Sequence, residues 1–75
     1  MFVKIIWMED KKEQHETTYQ CHSVTWHTPH REDAKPYLSM DGTGFGSVDV
    51  VFDNSQAYVY LMNDNGKTID SRFIE

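Results

Sequence analysis

The stretch that most constrains the fold is Ala57–Met62, a short apolar run with polar turn signals on both sides. Downstream of it, Asn65-Gly66 is a strong hairpin signal, because this pair accepts the positive φ values of a type I′ turn. A turn at these two residues predicts three cross-strand pairs: Met62–Ile69, Tyr60–Ser71 and Tyr58–Phe73. We therefore expect Ala57–Met62 to be a central strand with a partner strand on its C-terminal side.

Upstream, the polar segment 53–56 predicts a second turn, which folds the preceding strand back onto the same central strand. The predicted pairs are Phe52–Ala57, Val50–Val59 and Val48–Leu61. Because side chains alternate along a strand, the two hairpins use opposite faces. One face collects Val48, Val50, Phe52, Ala57, Val59, Leu61 and Ile74; the other collects Val51, Tyr58, Tyr60, Met62, Ile69 and Phe73. A strand that is apolar on both faces is expected to be covered on both.

The N-terminal half of the sequence predicts further strands. Phe2–Met8 is apolar apart from Lys4 and predicts a buried strand that closes against the C-terminal strands. The charged residues 9–16 predict a solvated hairpin tip. From Thr17 to Thr28 the residues favour a strand, but the apolar phase changes partway along. A β-bulge near His22-Ser23 explains this change, as does a bend where one strand serves two parts of a barrel.

The middle of the chain has room for one short helix. Thr28-Pro29 resembles a helix start, and Pro36 ends any helix after about residue 35. A short strand over Tyr37–Met40 and a glycine-rich loop, Gly42–Gly46, follow. The chain therefore predicts a single domain, residues 1–75, that is mostly β: a small antiparallel sheet or barrel of five to six short strands with one short helix. An α+β fold is the alternative.

Charge and cysteine content narrow the function classes. Seven Lys and Arg against twelve Asp and Glu give a formal net charge of −5. This balance argues against direct nucleic-acid binding and against attraction to anionic membranes, since both need cations. The single Cys21 excludes an internal disulfide and favours a reducing compartment, and the apolar run 2–8 is too short for a membrane span. We expect a cytoplasmic protein whose partner is another protein with a basic surface.

Zinc-binding residue types gather between residues 21 and 33, but a straight strand places Cys21 and His27 about 20 Å apart. His27, His30 and Asp33 can converge on one ion. Surface histidines at a loop are the preferred interpretation of these three, so neither a metal nor another cofactor is expected.

No arrangement of residues indicates catalysis. Cys21 in a strand is more typical of a small buried hydrophobe than of a nucleophile. Asp49 and Asp53 share one face of a strand but lie ~13 Å apart, which is too far for a carboxylate pair that shares a proton. We therefore expect no enzymatic activity.

The Gly42–Gly46 loop leads into a strand, whereas phosphate-binding loops lead into a helix N-terminus. We interpret it as a loop between strands. Its functional alternative is a mobile binding loop with Phe45 exposed at its tip.

The aromatic residues Trp7, Tyr19, Trp26, Tyr58 and Tyr60 are interpreted as core and interface residues. Because Tyr58 and Tyr60 exceed what a small core can cover, their face is predicted to bind a target or a second copy in a homodimer.

These observations favour a small, acidic, non-enzymatic module that docks onto another protein. We expect it to act as a phage or mobile-element inhibitor of a host defence factor. The candidate binding residues are Phe45, Tyr58, Tyr60, Asp49 and Asp53. The alternative is a small-molecule or nucleotide-binding protein with a site at the Gly42–Gly46 loop or at a dimer interface.

Overall fold

The structure is a computed structural model that describes residues 1–9, 12–30, 35–42, 44–52 and 56–75, with residues 13 and 14 described by their backbone alone. Its strands are β1 (Phe2–Glu9), β2 (Lys12–His27), β3 (Tyr37–Gly42), β4 (Gly46–Val50), β5 (Gln56–Met62) and β6 (Thr68–Ile74). They form one antiparallel sheet in the order β4-β3-β2-β1-β5-β6, curled into a half-barrel. The mostly-β prediction is confirmed.

Strand β2 connects the two halves of the sheet. Its first part pairs with β1, from Lys12 to Gln20, and its second part pairs with β3, from Cys21 to His27. The register shifts between Cys21 and Ser23, where the sequence predicts a bulge. The bulge lets Cys21 and Val24 both face the core although their parity differs, and it lets one long strand turn the corner of the half-barrel. The charged segment 9–16 is mostly strand rather than hairpin tip, since β2 already begins at Lys12.

The predicted pairing of the 47–52 strand with Ala57–Met62 is wrong. Strand β5 lies between β1 and β6, with Val3 opposite Leu61 and Ile5 opposite Val59. Strand β4 instead pairs with β3, placing Val50 opposite Leu38. The physical reason is that β1 is as apolar as β4, and a local hairpin already provides β4 with a partner. The expectation that Phe2–Met8 closes against the C-terminal strands is confirmed.

The β5–β6 hairpin is confirmed with one correction at its turn. The Gly66 amide donates to the Asn63 carbonyl, Gly66 has a φ of +82°, and the Asn63 amide donates to the Lys67 carbonyl. The turn is therefore wider than Asn65-Gly66, and Met62 lies opposite Thr68 rather than Ile69. A register shift between Leu61 and Met62 restores the predicted pairs Tyr60–Ser71 and Tyr58–Phe73.

The core lies on the inner, concave face. Buried residues there are Val3, Ile5, Cys21, Leu38, Met40, Val50, Phe52, Ala57, Val59 and Ile74. Trp7, Tyr19 and Trp26 pack against them, as predicted for these aromatics. The Trp7 ring is fixed by the Phe52 ring, with centroids 5.4 Å apart, and by a 3.2 Å hydrogen bond from its indole Nε1 to the Thr17 hydroxyl. Every member of the first predicted face is buried here or packs against this core.

Several predictions fall on residues that the structure does not describe. The short helix was expected over 29–35; residues 31–34 lie outside the described ranges, and the flanking residues 29–30 and 35–36 are not helical. Of the turn predicted over 53–56, residues 53–55 also lie outside them, and Gln56 is the first residue of β5. No helix in the described ranges is long and apolar enough to cross a lipid bilayer.

Candidate functional site

The candidate site is the outer, convex face of β1, β5 and β6, which we call the outer apolar face. Its residues alternate with the buried ones: Val3 and Ile5 face the core, so Phe2, Ile6 and Met8 face outward. Likewise Ala57 and Val59 are fully buried, and Tyr58 is 39% exposed. The outer apolar face consists of Phe2, Ile6, Met8, Tyr58, Tyr60, Met62, Ile69 and Phe73.

The registers place these side chains in rows across the strands. Ile6 lies opposite Tyr58, and Tyr58 lies opposite Phe73. The Tyr58 and Phe73 rings are in contact, with centroids 4.6 Å apart, and the Tyr60 ring stacks near Tyr58 at 6.4 Å. Phe73 and Ile69 stay 44% and 55% exposed. The result is a largely apolar surface to which three strands contribute, in which Lys4 and Ser71 flank Tyr60.

An open groove of about 350 Å³ lies at one end of this face. Met8, Gln56, Tyr58, Phe73 and Glu75 line it. The groove thus combines aromatic and thioether surface with an amide and a carboxylate. This composition suits an inserted apolar side chain that carries a hydrogen-bonding or cationic group at its end.

Charged side chains border the face. The Lys4 ammonium lies 3.4 Å from the Glu16 carboxylate, and both side chains remain partly exposed. Such an exposed pair contributes little to stability. Glu75 lies at the groove without an opposite charge among its lining residues. The border of the groove is therefore suited to a cationic partner.

The predicted candidate Asp49 lies on another part of the molecule. β3, β2 and β1 separate its strand, β4, from β5. Its carboxylate accepts a 2.6 Å hydrogen bond from the Ser39 hydroxyl, and the neighbouring Asp41 carboxylate accepts hydrogen bonds from the hydroxyls of Ser23 and Ser47. The outer side of β3 and β4 is thus polar and internally bonded. Asp53 lies outside the described residues.

Phe45 packs back onto the sheet. Its ring lies over Gly42 and makes an edge contact with the Tyr19 ring, with centroids 6.1 Å apart. Gly44 and Gly46 have φ values of +89° and +74°, which fits a tight connection between β3 and β4. The Gly42–Gly46 segment thus connects β3 with β4, and Phe45 packs against Tyr19 while staying 39% exposed.

The predicted metal candidates are only partly described. The His27 ring stacks on the Tyr37 ring, with centroids 4.5 Å apart, and His30 is exposed at a bend. Asp33 lies outside the described residues, so the structure does not test their convergence. Within the part of the chain that the structure does describe, no group of three metal-ligating side chains comes together.

Cys21 is a buried core residue, as predicted. Burial raises the pKa of its thiol, with a smaller opposing effect from the nearby N-terminal amino group. Both burial and the raised pKa favour the neutral thiol, whereas a nucleophilic cysteine needs an exposed thiolate.

Sequence reasoning identified Tyr58 and Tyr60 but did not assign the β1 residues to the same face. The available signal was the alternation in Phe2–Met8, where Phe2, Ile6 and Met8 share one parity. Their pairing with β5 has no local signal in the sequence. Comparisons of the chain with protein-family models, with curated proteins and with solved structures found no match.

Proposed function

We propose that this chain is a non-enzymatic domain that docks onto another protein through the outer apolar face. The partner surface is apolar at its centre and carries lysine or arginine at its edge. The observation that carries this proposal is the contact between the Tyr58 and Phe73 rings, two large aromatic side chains that stay 39% and 44% exposed on the outer face. Contiguous exposed apolar surface on a soluble domain is typical of interaction sites.

The composition of the face supports a protein partner. Tyrosine, phenylalanine and methionine are enriched in protein interfaces because they bury much area at low entropic cost. Tyr58 and Phe73 already contact each other, so their orientation is largely set before binding. A partly ordered contact cluster reduces the side-chain entropy lost on association.

Charge selects the class of partner. The net charge of −5 favours encounter with a basic protein, and Glu16 and Glu75 lie where such a partner's edge would come. We propose, as the particular form of this function, an inhibitor carried by a phage or other mobile element that occupies a basic surface of a host defence factor. Surfaces that normally hold nucleic acid have the required charge.

The test uses Tyr58→Ser and a matched control, Tyr37→Ser, which removes an aromatic ring from the other half of the sheet. Immobilised wild-type protein and both variants are exposed to lysate from candidate hosts, and captured proteins are identified. A purified captured protein is then titrated against each variant. We expect Tyr58→Ser to weaken binding at least ~10-fold, as is usual for a central aromatic residue, while Tyr37→Ser binds normally.

The salt dependence of binding distinguishes charge-assisted docking from nonspecific hydrophobic association. Affinity for a basic partner is expected to fall as ionic strength rises, because edge charges are screened. A captured protein that binds both variants equally, or whose binding is indifferent to salt, would contradict the proposal.

The alternative is a small-molecule or nucleotide-binding protein with a site at the Gly42–Gly46 loop or at a dimer interface. The position of Phe45 over Gly42 requires a ligand at the loop to displace an aromatic ring. A ligand bound there would raise the melting temperature through linkage. A rise in melting temperature with nucleotides that Phe45→Ala changes and Tyr58→Ser does not would favour this alternative.

A further inference from the structure

We propose that a second copy of this chain pairs with the free edge of β6, in one antiparallel register with Ser71 on the two-fold axis. Strand β6 ends the sheet order, so in the described chain it has a neighbour on one side, β5. Its residues 68–73 are all exposed. An exposed edge strand of this length is a template for pairing with another chain.

The Ser71 amide indicates which groups the edge presents. It donates a 2.9 Å hydrogen bond to the carboxylate of its neighbour Asp70. In an antiparallel strand the N–H and C=O of one residue point to the same side. Ser71 therefore directs both groups away from β5, and a two-fold axis at Ser71 lets each copy's amide donate to the other's carbonyl.

The side chains of β6 are self-complementary in this register. With Ser71 opposite Ser71 of the second copy, Asp70 lies opposite Arg72 and Arg72 opposite Asp70. On the other face, Ile69 lies opposite Phe73, which pairs the two most exposed apolar side chains of the strand. The two-fold axis produces each favourable pair twice.

Neighbouring registers lack this match. A shift that places the axis at Asp70 sets two aspartates opposite each other, and a shift that places it at Arg72 sets two arginines opposite each other. Like charges directly opposite destabilise a strand pair. Charged residues usually protect an edge from pairing; here their alternation disfavours the two adjacent registers, and the register centred at Ser71 is the one that pairs Asp70 with Arg72.

Pairing replaces the hydrogen bond from the Ser71 amide to the Asp70 carboxylate and leaves the other present contacts of the strand in place. The Arg72 guanidinium lies 4.5 Å from the centre of the Trp26 ring, so its stem is already held on the inner face. The irregularity of the β5–β6 pairing lies at the Ile69 end, and the central residues 70–72 are on regular strand. The resulting dimer extends the sheet and places both outer apolar faces on the same side.

The test uses Asp70→Arg and Arg72→Asp, each alone and then mixed. Sedimentation velocity of the wild-type chain over a concentration series is expected to give a monomer–dimer equilibrium. Each variant alone places like charges opposite at both pairs, and we expect its dimer to be at least ~10-fold weaker. An equimolar mixture restores both opposite-charge pairs, so heterodimers with near wild-type affinity are expected.

A cross-link tests the position of the axis. In a Cys21→Ala background, Ser71→Cys is expected to oxidise rapidly to a disulfide-linked dimer. The control is Thr68→Cys, because residues 68 of the two copies would lie ~20 Å apart, beyond disulfide reach. Circular dichroism of every variant verifies that the sheet is intact.

A wild-type chain that stays monomeric into the millimolar range, or a mixture that does not associate, would overturn the proposal. So would a dimer that Asp70→Arg leaves unchanged, because its interface would then lie elsewhere. These measurements need no target protein. Their results therefore support or overturn the dimer independently of the proposed docking function.

Discussion

The packing of Phe45 over Gly42 gives a prediction that can be worked out in numbers. A Cβ atom added at Gly42 would lie 1.8 Å from Cζ and 1.9 Å from Cε1 of the Phe45 ring. Gly42 does not have the positive φ of Gly44 and Gly46, so alanine is compatible with its backbone. Gly42→Ala is therefore expected to keep the strand but to expel the ring.

The cost follows from the surface that Phe45 loses. The residue is 39% exposed, so it buries on the order of 120 Å². At about 25 cal/mol per Å² this is close to 3 kcal/mol, and about 2 kcal/mol once the compactness of the unfolded chain is allowed for. Alanine regains ~0.5–1 kcal/mol over glycine within a strand. Gly42→Ala should thus destabilise the protein by about 1–1.5 kcal/mol.

A double-mutant cycle with Phe45→Ala separates this effect from a general intolerance of Gly42→Ala. Without the ring there is nothing to expel, so the same Gly42→Ala change is expected to be neutral or stabilising by up to ~1 kcal/mol. The free energy of unfolding is measured by urea titration with the fluorescence of Trp7 and Trp26, which pack against the core. Equal costs of Gly42→Ala in both backgrounds would refute the packing argument.

Two further predictions concern the stability of the protein: one compares the inner and outer faces of the sheet, and the other concerns the thiol of Cys21. Ile5→Ala should cost ~2–5 kcal/mol because Ile5 is fully buried, whereas Ile69→Ala, at a side chain that is 55% exposed, should cost about 1 kcal/mol or less in the same urea titration; comparable costs would contradict an exposed outer face. Because burial raises the pKa of the Cys21 thiol above its ordinary value of 9.0, the unfolded chain loses this proton first. The stabilisation is complete below pH 9 and is lost as pH rises through the folded-state pKa. Cys21→Ala should make the decline in unfolding free energy above pH 9 shallower, and an identical decline in both proteins would disprove this contribution.

The sequence could predict which side chains share a face, because parity along a strand does not depend on the neighbouring strand. Val50 and Val59 were expected to pair with each other, and they do not, but both are buried in the core. The bulge at Cys21–Ser23 was also predictable, since the change of apolar phase is a local property. The first predicted face is therefore correct despite the error in strand order, whereas Val51 of the second face follows β4 and lies on the other half of the sheet from Tyr58.

The strand order itself depends on non-local choices that the sequence does not display. The polar segment 53–56 looks like a hairpin turn, yet β5 pairs with β1. Several apolar strands of similar length compete for the same partner, and the choice is made by how completely the whole half-barrel buries them. The width of the Asn63–Lys67 turn was missed because the Asn63 side chain determines it, by accepting hydrogen bonds from the amides of Asn65 and Lys67.

The candidate site, like the fold, could be predicted only in part from the sequence. Tyr58 and Tyr60 were identified because a small core has no room for them. Asp49 was grouped with them on charge alone, and the structure places it on the polar half, bonded to Ser39. Charge composition describes the whole surface, so it does not localise a site.

The two proposals divide the exposed apolar surface between them. The half-barrel buries its inner face by curling, and in the described chain no second layer lies on the outer side of β1 and β5. Pairing at β6 would cover part of Ile69 and Phe73, since each lies opposite the other across the axis. Tyr58, which is exposed, and Ile6 and Met8, which are half-buried, lie farther from that edge and would stay accessible in the dimer. A dimeric chain would then present two such surfaces on one side of a continuous sheet, and a partner with two equivalent sites would bind it more tightly than a partner with one.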